Sequence, residues 1–137
     1  MNPRQFLIIG GVILLVLGIL GFILQPVSEG RLLGEALWFD NAENIAHTIL
    51  GIVAIAAAYV LNATLQKWLT AIVGVVALVF TVLGLIVIGT PPTQLNLGVT
   101  NLELLDDVVH LVVGVWALVA AFRPMGAMAP APAGQQT

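Results

Sequence analysis

A chain of 137 residues has room for one domain, and this one is 60% hydrophobic and 8% charged, with a mean hydropathy of +1.09. Soluble domains carry about 25% charged residues, so much of this surface must face lipid, and four spans of about 20 residues leave no length for a soluble catalytic domain. The absence of cysteine excludes disulfides, zinc–thiolate centres and thiol catalysis, and the four basic residues, set against seven acids, form no tract for nucleic acid.

Behind a short polar start carrying Arg4, residues 6–24 form an uninterrupted apolar run. It is long enough to cross a bilayer core of about 30 Å. It exceeds the apolar region of about 7–15 residues usual in a secretory signal, and no clear A-x-A-like site follows it. Residues 25–42 are a polar segment opened by Pro26, in which Trp38 and Phe39 suit the membrane interface. A second span is expected over 43–61, a tight connection over 62–67 and a third span over 68–88. Residues 89–102 are again polar, and Pro91-Pro92 excludes a helix through that point. The fourth span is expected over 104–122, closed by Arg123-Pro124. Residues 1–124 thus read as one four-helix transmembrane domain. The Ala/Pro/Gly/Gln stretch 125–137 has nothing to bury and reads as a disordered tail.

The charges separate cleanly on this threading. Arg4, Lys67 and Arg123 fall on one side, and all seven acids fall on the other with Arg31 alone. Basic residues beside span ends stay cytoplasmic, so both termini are expected inside.

The chain also repeats itself. A shift of 63 residues aligns Arg4 with Lys67, Gly11 with Gly74, Gly21 with Gly84, His47 with His110 and Gly51 with Gly114, without a gap. Each copy holds two spans, so both copies enter the membrane the same way. The fold class expected is all-α, a polytopic membrane protein of four transmembrane helices built from two tandem, parallel helical-hairpin repeats.

Helical spacing fixes the faces. His47, Gly51, Ala54 and Ala58 form one stripe, which His110, Gly114, Ala117 and Ala121 repeat, and small stripes let helices in lipid approach closely. Gly51 and Gly114 are therefore expected to be structural. So are Asn44 and Asp107, as polar groups in the first turns of their helices. One turn before each histidine stand Glu43 and Asn44, or Asp106 and Asp107. If the small stripes bring spans two and four together, Glu43, His47, Asp106 and His110 converge; the alternative is that each stripe packs on span one or three of its own hairpin. Such a set suits a divalent metal, a proton or a polar headgroup or quinone. A haem held by both histidines fits less well, because the neighbouring carboxylates make the slot polar. H-E-x-x-H, G-x-S-x-G and glycine-rich phosphate loops are all missing, so no enzyme is expected. Nor does an acid or base stand at mid-span, as a proton-coupled carrier needs.

The segment Asn44-Ile45-Ala46-His47-Thr48-Ile49-Leu50-Gly51, with its second copy ending in Asp107, His110 and Gly114, resembles a bacterial four-span family of unknown function. That family carries N-x-x-H-x-x-x-G at the head of spans two and four. The resemblance covers roughly residues 6–122 and implies a four-helix protein of the bacterial cytoplasmic membrane, with no activity attached. Two classes of function stay open. One is a non-enzymatic structural or accessory protein, partnered by the bilayer and by further copies or another membrane protein. The other is a metal, proton or small-ligand binding protein.

Overall fold

The computed structural model describes residues 1–28, 40–87, 95–96, 101–102 and 104–123. Four helices account for nearly all of them: α1 (Pro3–Ser28), α2 (Asn41–Val60), α3 (Ala63–Val87) and α4 (Leu104–Phe122). Each is long and apolar enough to cross a membrane. Between α3 and α4, β1 (Leu95–Asn96) pairs antiparallel with β2 (Asn101–Leu102), a two-residue ladder in the segment expected to be non-helical. The apolar stretch around Trp38 and Phe39 and the tail 125–137 lie outside the described residues.

Local hydrogen bonds explain where the helices depart from the expected spans. α1 begins at Pro3, not at residue 6, because Asn2 Oδ1 accepts from the Gln5 backbone N–H at 2.9 Å. Gln5 Oε1 accepts in return from the Asn2 N–H at 3.0 Å. This reciprocal cap places proline at the first helical position, where no N–H is missed. α1 also continues through Pro26 to Ser28. The proline forfeits one backbone bond there, a loss that membrane helices tolerate. α3 starts at Ala63, five residues before the expected span, since Asn62 Oδ1 caps the Leu65 N–H at 3.0 Å. Gln66 Nε2 then donates to the carbonyls of Ala58 and Leu61, each at 2.9 Å, and so closes the end of α2. The α2–α3 link shrinks to two residues.

Packing is inverted relative to a soluble protein. Large aliphatics face outward, with Val60 77% and Ile86 73% exposed, while Ala57, Ala58, Ala71, Ala77, Ala117, Ala120 and Ala121 are buried. Outward-facing bulk and inward-facing small residues are what lipid-embedded helices require. α1 packs along α2 and α3 along α4, forming two hairpins; α1 then joins them through smaller contacts with α3 and α4. The hairpins meet in a core of Phe6, Leu7, Ala57, Ala58, Ala117 and Ala120 near the start of α1. There the Phe6 ring stands edge-on to Trp116 at 4.7 Å.

Candidate functional site

The first turns of α2 and α4 form the opposite end of the bundle from that core. Asp40 caps α2, its Oδ1 accepting from the Glu43 N–H at 2.8 Å, and so fixes which way the motif residues of the first turn face. Asn44 points into the neighbouring helix α1 and is fully buried, with its amide in the space where Gly21 would carry a Cβ. Asp107 does the same against Gly84 of α3, at 2% exposure. Any side chain at Gly21 or Gly84 would collide with that polar group. The repeat seen in the sequence is thus a repeat of contacts: a polar side chain of one helix seated in a glycine notch of the other.

Two turns further in, the backbones almost touch. A Cβ at Gly51 would stand 2.7 Å from the Gly11 carbonyl, and one at Gly114 would stand 3.1 Å from the Gly74 carbonyl. The glycines of the small stripes therefore pack on α1 and α3, each within its own hairpin, while Ala58 and Ala117 reach the core between the hairpins. The expectation that the stripes draw α2 and α4 together is corrected here. Spacing assigns a face to a helix but not a partner to that face, and α1 and α3 offer glycines at the matching depths.

A hydroxyl completes each hairpin, from opposite sides. In the first, Thr48 of α2 lies over Gly18. In the second, Thr81 of α3 occupies the position equivalent to Gly18, and its Oγ1 lies 3.1 Å from the Ala77 carbonyl and 3.3 Å from the Asp107 carbonyl. Sequence reading missed this exchange. Its signal was present in the 63-residue alignment, where Gly18 faces Thr81 and Thr48 faces Leu111.

The histidines are held differently. His110 Nδ1 donates to the Asp106 carbonyl at 2.8 Å, and its ring stacks on Phe80 at 5.5 Å between centres. That fixes the ring and leaves Nε2 for a further partner. His47 lacks the stacking ring, since Leu17 stands where Phe80 does in the second repeat. Its Nδ1 is buried with no hydrogen-bond partner among the described residues, as are Glu43 Oε2, both side-chain polar atoms of Asn44 and Asp107 Oδ1. Although α2 and α4 do not pack closely, the motifs face one another. Glu43 is within electrostatic reach of Asp106, and His47 of both His110 and Asp106. Among the described residues, no three acids or histidines gather to hold a metal ion. Glu43, His47, Asp106 and His110 are electrostatic neighbours that do not close into a coordination sphere. What the cluster has chemically is imidazole and carboxyl groups able to take up and release protons.

Four apolar spans, paired as two equivalent hairpins with a polar cluster at one end, define a multi-pass membrane protein of the helical-bundle class. The chain belongs to the family described as a domain of unknown function (DUF4383), whose model matches residues 4–123. No curated protein and no solved structure matches it.

Proposed function

We propose that the chain is a non-enzymatic structural or accessory protein of a bacterial cytoplasmic membrane, partnered by lipid and by other membrane proteins or further copies of itself. The burial of Asn44 and Asp107 in the notches of Gly21 and Gly84 supports this reading best. Together with Gly51 and Gly114, they commit most of the repeated motif to joining helix to helix. Metal analysis and a visible absorption spectrum of purified protein test it, with a His47→Ala, His110→Ala double variant beside the wild type. Neither protein should carry stoichiometric metal or a chromophore. A bound metal or absorbing group that the double variant loses would overturn the reading.

One observation favours a second reading, a proton- or small-ligand-binding protein. Two groups of each hairpin, Glu43 and His47 with Asp106 and His110, face each other across the bundle, and buried atoms of the first pair lack hydrogen-bond partners. Ionisable groups within spans are costly to keep and lean towards function. If these residues draw in a divalent ion, its binding should weaken on acidification, because only neutral imidazole ligates. Zinc titration calorimetry at neutral and acidic pH checks it, and pH-independent binding would exclude the histidines as ligands.

The topology proposed places both termini in the cytoplasm. Arg4, Lys67 and Arg123 lie at the end where α1 and α3 start, while Asp40, Glu43, Asp106 and Asp107 lie where α2 and α4 start. The chain has no cysteine, so single cysteines report cleanly. Asn41→Cys should react with an impermeant maleimide in intact cells, and Ala63→Cys only after the cells are opened. The reverse pattern would invert the orientation.

A further inference from the structure

At the end of the bundle away from the histidines, the starts of α1 and α3 and the last turn of α4 surround an open cavity of about 920 Å³. Arg4, Lys67 and Arg123 line it with Asn2, Gln5 and Gln66, and no acid is among its lining residues. The acids of α2 and α4 stand in the first turns of those helices, a membrane's thickness away. Aromatic rings hold two of the cations without neutralising them. The Arg4 guanidinium lies 5.4 Å from the centre of the Tyr59 ring, and Lys67 Nζ lies 5.2 Å from Phe122 and 5.9 Å from Trp68. The N-termini of α1 and α3 and the C-terminus of α4 all open on this space, so the helix dipoles oppose one another and the side-chain cations carry its positive charge. The tendency of basic residues to flank spans accounts for the end at which these three stand. It does not account for their gathering from three helices around one cavity, with Lys67 half-buried.

We infer that this cavity binds a phosphate-bearing anion at the membrane surface. Arginine offers a fork matched to phosphate oxygens, and lysine a compact point charge. An anion among the three cations offsets their like charge within a concave space in which Lys67 is half-buried. The volume exceeds a single phosphate and admits the headgroup of a phospholipid, and the cavity lies at the level where headgroups lie. The phosphate ester is the chemistry recognised, whether carried by a lipid or in solution.

Native mass spectrometry of the detergent-solubilised full chain, titrated with phosphatidylglycerol or phosphatidylcholine, reads the lipid source. A thermal-shift titration with inorganic phosphate reads the soluble one. Three cations near an anionic surface correspond to about a 100-fold preference for phosphatidylglycerol. The Lys67→Gln, Arg123→Gln double variant should keep only about a fivefold preference. Lipid preference without a phosphate shift assigns the headgroup, and a phosphate shift that the double variant loses assigns a soluble ester. Equal affinity for the two lipids with no phosphate shift overturns the inference, as does a preference that the double variant retains. Wild-type binding between about 50 and about 500 mM salt tests the point without substitution, since charge-built binding must weaken over that range. Binding that is flat across the range overturns it as well.

Discussion

Replacing Gly51 by leucine should force α1 away from α2 and cost the protein more stability than any other single change along the small-residue stripes. A Cβ at Gly51 would lie 2.7 Å from the Gly11 carbonyl oxygen and 2.7 Å from the Leu15 backbone nitrogen. Backbone atoms cannot rotate out of the way, so the helices themselves must separate. Even modest overpacking costs about 1–3 kcal/mol, and leucine at a backbone-to-backbone contact should reach or pass the upper end. Gly114 differs in kind. There the nearest atoms to an added Cβ are Leu78 Cγ and Cδ2, both at 2.8 Å, with the Gly74 carbonyl further off at 3.1 Å. The Leu78 side chain can swing, so Gly114→Ala should be milder than Gly51→Ala while both leucine variants remain damaging. Ala56→Leu and Val119→Leu, on exposed faces, serve as controls. Thermal unfolding in detergent decides: equal stability of Gly51→Leu, Gly114→Leu and the two controls would remove the stripe as an interface.

The same contacts show what sequence alone can carry. Hydropathy located every span to within a few residues, because the bilayer imposes a length on any helix that crosses it. The ends it misplaced are those decided by hydrogen bonds a hydropathy window does not register. Asn2 with Gln5 and Asn62 with Leu65 each start a helix ahead of its apolar stretch, and Gln66 reaches back to close α2. Pro26 misled in the opposite sense: α1 carries it inside the helix and runs on to Ser28, although its ring removes one backbone bond.

The repeat was legible because it is written in glycines, and glycine positions are set by close approach. Which helix supplies the approach was not, because a stripe on α2 is equally compatible with α1 or α4 until the matching depths of Gly11, Gly18 and Gly21 are weighed. Facing of Glu43 and His47 with Asp106 and His110 follows from equal depth in parallel repeats, and depth was readable. Among the described residues no three acids or histidines gather as metal ligands, and how side chains group across two hairpins is something no spacing encodes. The basic cavity is a similar case. Three cations at one end could be counted, but their arrangement around a shared space depends on where α1, α3 and α4 stand.

The second large effect comes from exchanging one residue between the repeats. Asn44 and Asp107 occupy equivalent seats, 0% and 2% exposed, each pressed against a glycine of the adjoining helix. The first seat holds a neutral amide and the second a carboxyl whose Oδ1 has no hydrogen-bond partner among the described residues. An unsatisfied buried polar group costs about 1–3 kcal/mol, and more when charged. Asn44→Asp should therefore destabilise the first hairpin by about that order, because it places an ionisable group in a fully buried seat. Asp107→Asn keeps the shape of the seat, removes the charge and should stabilise the second hairpin. The two seats lie in separate hairpins, so the double exchange should return close to the wild-type midpoint. If both single variants unfold within about 0.5 kcal/mol of wild type, the range of ordinary surface substitutions, the seats are not the buried notches described here. If Asp107→Asn instead destabilises, the carboxylate is holding a charged partner, His110 being within electrostatic reach. Asp107 then belongs with the histidine cluster rather than with the packing, and the proton-binding reading gains the residue that sets the second repeat apart from the first.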